Sequence, residues 1–324
     1  MALQLAVKPQ EKEIIIEQRQ DLDTIIIGGG PAGLTAAIYC LRARLNVVLI
    51  EKMILGGVAS TTYSIENYPG FPDAIGGLAL TEKMSDQAKK LGLNVIWGNV
   101  IRAKKKKERC EVEIDGKTLS AKTLIIATGT EAAKLDIPGE AKFRGRGVSY
   151  CATCDGPFYK DKNIIVVGGG NAAVEEALFL TRYANKVSIV HRRDELRADR
   201  IVAERARNHP KIYFFWHAVM ETIGGQAKVE SVVIKDLLSG KKLTVPADGV
   251  FVYVGSRPNT ECVKKVVKLD EPGYIITDEK MATSVSGIFA AGDVRVKHLR
   301  QVVTAAADGA IAADSIREYL SAKG

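Results

Sequence analysis

The chain has little of what would place it in a membrane, outside the cell or on nucleic acid. It contains no run of about 18 apolar residues, which excludes an ordinary membrane-spanning helix. Near its start stand Lys8, Glu11, Lys12 and Glu13, where a secretory signal needs an apolar stretch, so a cytoplasmic location is expected. Five cysteines are too few and too scattered for a disulfide framework, and only Cys151 and Cys154 are close together. In a reducing compartment such a pair points to catalysis or metal binding before structure. Aromatic residues make up only 6%, with no stacking platform and no nucleic-acid motif to accompany the net charge of +8. The densest basic run, Lys104–Lys107 before Glu108 and Arg109, reads as a solvated hairpin edge. A basic surface of this kind suits steering of an acidic protein substrate.

What is present is a globular composition, 46% hydrophobic and 26% charged, in 324 residues that suggest two domains. Asp23-Thr24-Ile25-Ile26-Ile27 is an apolar strand that runs into Gly28-Gly29-Gly30-Pro31-Ala32-Gly33. A helix then extends to about Arg44, and Asn46–Ile50 forms a second strand ending at Glu51. This is a strand–helix–strand unit with GxGxxG at its first turn. The unit recurs 140 residues later. Asn163–Val167 is the strand, Gly168-Gly169-Gly170-Asn171-Ala172-Ala173 the turn, a helix reaches about Tyr183, and Lys186–Val190 is the second strand. The copies align without a gap, Gly28 on Gly168, Gly30 on Gly170 and Glu51 on His191.

One GxGxxG also serves ordinary turns, whereas two framed copies specify two dinucleotide sites. In each, the first glycine allows the tight turn, and Gly30 or Gly170 lets a pyrophosphate approach the backbone. Gly33 or Ala173 lets helix and strand pack closely. The diphosphate then meets the free N–H groups and positive dipole end of a helix. Glu51 suits a ribose hydroxyl. In the second unit, His191 is followed by Arg192, Arg193 and Arg197, where guanidiniums suit a 2′-phosphate and a carboxylate would repel it. The alternative is an exposed basic helix start. The expectation is FAD in the first unit and NADPH in the second. Thr123–Gly129 and Gly287–Asp293 are further buried strands ending in small-residue turns, and an alanine-rich helix begins near Gln301.

Cys151-Ala152-Thr153-Cys154-Asp155 precedes the second nucleotide-binding strand. A zinc site needs about four ligands, but there is no second CxxC, and Cys110, Cys262 and the four histidines are scattered, so no metal is expected. A structural pair is the other alternative. The redox reading fits better, because this spacing allows a small, reducible disulfide. Asp155 is placed to exchange a proton or to stand as an ordinary turn aspartate. Cys40, Cys110 and Cys262 read as packing residues.

The sequence resembles the low-molecular-weight thioredoxin reductases of bacteria and archaea from about Leu22 to Leu320. The likeness is carried by Gly28–Gly33, Glu66-Asn67-Tyr68-Pro69-Gly70, the CATCDG element at 151–156, Gly168–Ala173, His191-Arg192-Arg193, Gly292-Asp293 and Arg300-Gln301. It implies an α/β fold of two Rossmann-like three-layer nucleotide-binding domains, the NADPH domain inserted into the FAD domain. The boundaries expected are a leader at 1–21, FAD-binding parts at 22–133 and 261–324, and an NADPH domain with the CxxC at 134–260. The resemblance assigns Gly28, Gly30, Pro31, Ala32, Gly33, Glu51, Lys52, Gly57, Asn67, Thr128 and Gly129 to FAD. It adds Gly292, Asp293 at the ribityl chain, Arg300 and Gln301 near the isoalloxazine, and Val302. Gly168, Gly170, Asn171, Ala172, Ala173, His191, Arg192, Arg193 and Arg197 go to NADPH.

Cys154 is implied to be the flavin-proximal thiol, Cys151 the thiol that attacks the substrate, and Asp155 the proton donor and acceptor. The implied acceptor is thioredoxin or a glutaredoxin-like protein, and the implied assembly a homodimer whose NADPH domain swivels. Two positions depart from the family pattern: Val58 follows Gly56-Gly57 where many relatives have Gln, and Pro157 stands where an aromatic residue is common. A ferredoxin–NADP reductase on the same fold would lack the CxxC. A flavin-containing redox sensor would not turn over.

Overall fold

The computed structural model describes residues 21–323, so the expected leader lies outside them except for Asp21. The chain begins with β1 (Leu22–Ile27), α1 (Pro31–Arg42), β2 (Val47–Glu51), α2 (Gly77–Lys90), β3 (Asn94–Trp97) and β4 (Val100–Lys106), followed by β5 (Arg109–Ile114) and β6 (Lys117–Ile126). Parallel pairing gives the order β3-β2-β1-β6, and the β4–β5 hairpin adds to the first half of β6. Lys104–Lys106 therefore lie on the edge strand, where charge blocks edge-to-edge pairing.

The two faces of this sheet are buried separately. Ile26, Leu49 and Ile125 pack beneath α1 and α2, while Ile25, Ile27, Val48, Ile50, Leu124 and Ile126 pack beneath the hairpin. Such unbroken apolar strands are what a parallel sheet covered on both sides requires. Pro31 opens α1 at a position whose N–H has no intrahelical partner. The helix ends two residues before Arg44, whose backbone is left-handed at φ 60°.

From β6 the chain crosses through β7 (Thr130–Ala132) into a second body. It comprises α3 (Glu140–Phe143), β8 (Val148–Ser149), α4 (Ala152–Asp155), β9 (Asn163–Val167), α5 (Asn171–Leu180), β10 (Lys186–Val190), α6 (Arg200–Arg207) and β11 (Ile212–Phe215). Next come β12 (Ala218–Gly224), β13 (Ser231–Asp236), β14 (Lys242–Pro246) and β15 (Gly249–Val252). A parallel sheet ordered β11-β10-β9-β15-β8 has α5 and α6 on one face and the antiparallel β12–β14 sheet on the other. Helix α5 stops at Leu180, short of Tyr183, and Lys211 Nζ takes up the carbonyls of Thr181 and Ala184 at 3.0 and 2.9 Å.

The chain returns through β16 (Ser256–Pro258), antiparallel to β7, and then supplies β17 (Ile288–Ala290) beside β6 and the long helix α7 (Val302–Ser321). The second body is thus inserted into the first, and the two crossings are zipped together as a two-stranded ribbon.

Candidate active site

The first glycine turn leaves β1 at its carboxyl end. Gly28 has φ +103°, and a Cβ there would lie 2.3 Å from the Ala127 carbonyl oxygen, so no other residue fits. At Gly30, the N-cap of α1, a side chain would meet nothing within 4 Å, which leaves an open approach to the helix N-terminus. The loop carrying Gly56 and Gly57 closes over the turn: the Gly56 N–H donates to the Gly29 carbonyl at 2.8 Å, and a Cβ on Gly57 would reach the Gly30 Cα at 3.1 Å. Buried Glu51 accepts from the N–H of Gly29 through Oε2 and from that of Met53 through Oε1, both at 2.8 Å. Its carboxylate therefore ties β2 to the turn. Lys52 beside it is exposed.

On the other side of the cradle, Gly292 has φ +80°, and a Cβ would lie 2.8 Å from that of Ala32 in the first turn of α1. Asp293, next in sequence, keeps a buried Oδ1 with no hydrogen-bond partner. Burial pushes its carboxyl up, against the pull of Lys297 and Arg300. Arg300 Nε is likewise buried and unpartnered, its guanidinium 4.1 Å above the Tyr274 ring. A buried orphan acceptor and donor beside an open helix N-terminus are what a dinucleotide with ribityl and ring portions would satisfy, so these residues fit FAD. Asn67 Nδ2 donates to Gln301 Oε1 at 3.3 Å, bringing together two candidates that are far apart in sequence. Gln301 is also the N-cap of α7, in a reciprocal capping box with Thr304, and places Val302 at the first helical position.

The second glycine turn repeats the first with a different base. Gly170 faces open space at the start of α5, followed by Asn171, Ala172 and buried Ala173. Gly168 packs against the Tyr253 carbonyl. His191 lies beneath Gly169, where a Cβ would approach the imidazole to 2.4 Å. Burial, helped by Arg197, Arg193 and Arg192, pushes the imidazole pKa down, so it is neutral at pH 7. His191 thus supports the turn, while Arg192, Arg193 and Arg197 are exposed in a loop, not at a helix start, since α6 begins at Arg200. None of the three has an ion-pair partner among the described residues. The Arg197 N–H donates to the Gly169 carbonyl at 2.7 Å, and Asn171 and Asp199 bond reciprocally at 3.0 and 2.7 Å, pinning that loop to the turn. An open cradle with three free guanidiniums beside it fits NADPH.

Cys151 and Cys154 form a disulfide across the single turn α4, with Cα atoms 5.4 Å apart. The Cys154 N–H donates to Cys151 Sγ at 3.2 Å. Cys154 is exposed and Cys151 half-buried. The Ala152 N–H donates to the Tyr253 hydroxyl at 2.9 Å, and Ser149 Oγ accepts from the Cys151 N–H at 3.1 Å. Every one of these partners belongs to the second body. Half-buried Asp155 closes the turn, its N–H bonded to the Cys151 carbonyl. Cys40 and Cys110 are buried and Cys262 packs against the first core, consistent with packing roles. Among the described residues, no cluster of His, Cys, Asp or Glu has a metal-binding arrangement.

Sequence reasoning missed three features around this site. Thr128 Oγ1 donates to the Asn259 carbonyl at 2.7 Å and Asn259 Nδ2 to that of Thr128 at 3.1 Å, which fastens the two crossings beside Gly129. Arg205 on α6 donates to both oxygens of Glu66 at 2.7 and 2.9 Å, and the Tyr63 and Phe179 rings lie 4.5 Å apart with Arg182 over Tyr63. Asp308, inside an alanine-rich stretch of α7, takes part in a buried charge cluster behind Gly292. None of these carried a signal in the sequence: even Asp308, set among alanines, shares α7 with Asp314 and Glu318.

The family model for pyridine nucleotide-disulphide oxidoreductases matches residues 22–309. A thioredoxin reductase of Listeria innocua is 49% identical over 299 residues, 92% of this chain and 93% of the relative. The FR conformation of Lactococcus lactis thioredoxin reductase superposes with a TM-score of 0.91 at 43% identity, covering 93% of this chain and 99% of that one. The Streptococcus pyogenes thioredoxin reductase, 46% identical with the same coverage, superposes at only 0.63. With two matching nucleotide cradles, a disulfide between them in sequence and relatives alike over almost their whole length, the chain belongs to the pyridine nucleotide-disulphide oxidoreductase family, among its thioredoxin reductases.

Proposed function

We propose that the chain is an NADPH-dependent thioredoxin-disulfide reductase, in which the Cys151–Cys154 disulfide reduces a thioredoxin or glutaredoxin-like protein. The observation that carries this reading is a disulfide in a four-residue turn on the same body as the arginine-flanked nucleotide cradle. When bound, NADPH supplies a hydride and FAD relays the electron pair toward the disulfide. Gly28–Gly33, Glu51, Lys52, Gly57, Asn67, Thr128, Gly129, Gly292, Asp293, Arg300, Gln301 and Val302 are the residues assigned to FAD. Gly168–Ala173, His191, Arg192, Arg193 and Arg197 are assigned to NADPH.

The chain's own chemistry is thiol–disulfide exchange. Two electrons and two protons convert the disulfide to the Cys151 and Cys154 thiols, with Asp155 positioned to hand over a proton. The Cys151 thiolate attacks one sulfur of the protein substrate, and the other substrate sulfur leaves as a thiolate. Cys154 then attacks Cys151 Sγ, which releases the reduced substrate and restores the disulfide. Residues 134–260 are proposed to move as one unit about the β7–β16 ribbon, since none of the hydrogen bonds holding the disulfide turn reaches the first body. No helix among the described residues is long and apolar enough to cross a membrane; a cytoplasmic site of action is part of the proposal. A homodimer is proposed on the family resemblance. The decisive test is stopped-flow reduction of the holoprotein by NADPH, with and without oxidised thioredoxin. Flavin reduction without steady thioredoxin turnover would leave only a redox sensor or a different acceptor.

A further inference from the structure

Asp308 is only 5% exposed, yet it receives four hydrogen bonds around the turn that carries Asp293. Its Oδ2 accepts from the Gly292 N–H at 3.0 Å, Arg295 Nε at 2.8 Å and Lys297 Nζ at 2.8 Å, and its Oδ1 accepts from a second Arg295 nitrogen at 3.1 Å. Arg295 also donates to Thr277 Oγ1 at 3.0 Å and to the Val296 carbonyl at 3.2 Å. The Lys297 side chain is 6% exposed and that of Arg295 16%. Burial opposes ionisation of Asp308, but the hydrogen bonds from Arg295 and Lys297 outweigh it and hold the carboxyl below the ordinary range.

Stability alone does not call for such a cluster. A buried ion network seldom outperforms apolar side chains of similar volume, because its desolvation offsets its attraction. What an apolar core could not supply is an acceptor for the Gly292 N–H and a fixed place for Lys297 near Asp293. The backbone here is tightly set: Gly292 abuts Ala32, and Gly309, next to Asp308, lets α7 approach the Ala32 carbonyl, where a Cβ would lie at 2.2 Å. The cluster therefore joins α1, the Gly292–Asp293 turn and α7 at one point.

We propose that Asp308 is a positioning residue of the flavin site: it fixes the Gly292–Asp293 turn against α1 and holds Lys297 beside Asp293, so that Asp293 meets the cofactor as a hydrogen-bond acceptor. The proposal rests on the reading of this cradle as the FAD site. It is tested on the purified holoprotein by measuring the FAD dissociation constant from the recovery of free-flavin fluorescence, together with the absorption spectrum of the bound flavin.

Asp308→Asn keeps the side-chain shape but not the charge. FAD affinity is expected to fall about 10- to 100-fold, the loss of one or two charge-assisted hydrogen bonds, with a shifted flavin spectrum. The triple variant Asp308→Leu/Arg295→Met/Lys297→Met removes the charges together, so no buried cation is stranded if Asp308→Asn fails to fold. It is expected to bind FAD at least as weakly, with NADPH affinity at the second cradle within about twofold of wild type, as for independent sites. Ile316→Ala, a cavity in the same core further along α7, is expected to lower the melting temperature and leave FAD affinity and spectrum alone. Unchanged FAD affinity in Asp308→Asn or in the triple variant, or an equal loss in Ile316→Ala, overturns the proposal. A wild-type chain that binds no FAD overturns the reading of the cradle as well.

Discussion

The contact of Tyr63 and Glu66 with Phe179, Arg182 and Arg205 predicts how firmly the chain holds the arrangement described here. It joins the loop after β2 to helices α5 and α6, so any rotation about the β7–β16 ribbon that carries the disulfide turn to the flavin must break it. The Glu66–Arg205 pair is doubly bonded, but both side chains are 47% exposed, which limits it to about 0.2–1 kcal/mol. The Tyr63–Phe179 ring contact adds about 0.5–1.5 kcal/mol and Arg182 over Tyr63 about 0.5–1 kcal/mol. Shared atoms make these less than additive, so the clasp contributes about 1–3 kcal/mol. The double variant Tyr63→Ala/Arg205→Met should therefore shift the ratio of the two arrangements by roughly 5- to 150-fold. Fluorescence energy transfer between labels at exposed Lys90 and Lys241, installed through non-cysteine chemistry, reads that ratio directly. High salt should reproduce the ion-pair share alone, because the screening length falls to about 3 Å at 1 M while ring stacking persists. A transfer distribution identical in wild type and double variant would refute the clasp.

If the arginine loop sets cofactor choice, as proposed, Arg192→Ala/Arg193→Ala should weaken NADPH by about 2–4 kcal/mol, roughly 30- to 1,000-fold, and NADH far less. An unchanged preference in binding titrations would remove these residues from the 2′-phosphate site. The thiol order predicts that Cys154→Ser captures a single-cysteine thioredoxin carried as a thionitrobenzoate mixed disulfide, releasing thionitrobenzoate, whereas Cys151→Ser does not. Since Cys154 is the more exposed sulfur, the opposite pattern on a non-reducing gel would reverse the roles. Burial, with a smaller push from Glu175, raises the Glu176 carboxyl to about 8, so the folded chain keeps a proton that the unfolded chain gives up above its ordinary value of 4.5. Its stabilising share is complete below that value and is lost as pH rises toward about 8. Glu176→Gln should flatten the fall in unfolding free energy between those limits, by at most about 5 kcal/mol, and an unaltered pH slope in urea melts would contradict it.

The parts of this architecture that were legible in the sequence are those that backbone sterics impose locally. Gly28 must be glycine because its φ is positive and the Ala127 carbonyl fills the place of a Cβ, and that demand recurs at Gly168. The strands were legible because alternate residues such as Ile25 and Ile26 enter different cores, so that the whole run must be apolar. Helix ends were less so. Those of α1 and α5 fell short of the apolar pattern, because Arg44 turns left-handed and Lys211, distant in sequence, binds the carbonyls of Thr181 and Ala184 just past the end of α5. Asp308, Asn259 and the Glu66–Arg205 pair were not legible, since each acts on a partner that only the folded topology brings near. Asp308 reaches Gly292 across 16 residues, but Glu66 and Arg205 are separated by 139.

The two cradles also explain each other. At the end of β2 a buried carboxylate accepts from the Gly29 N–H; at the matching end of β10 a buried imidazole fills the space under Gly169. Both support the turn from below, so the fold requires only a side chain of suitable size there, and charge is free to follow the ligand. In the second unit an acid at position 191 would lie among Arg192, Arg193 and Arg197 and draw their charge inward, away from a phosphate. A protonated imidazole would instead add a buried positive charge beneath the three exposed ones of that loop. Burial and those same arginines push the His191 pKa down, so the residue carries no charge at pH 7 and the guanidiniums remain directed outward. On the proposed assignment of the two cradles, neutrality at position 191 lets one scaffold, used twice in a single chain, offer an acid to one nucleotide and three arginines to the other.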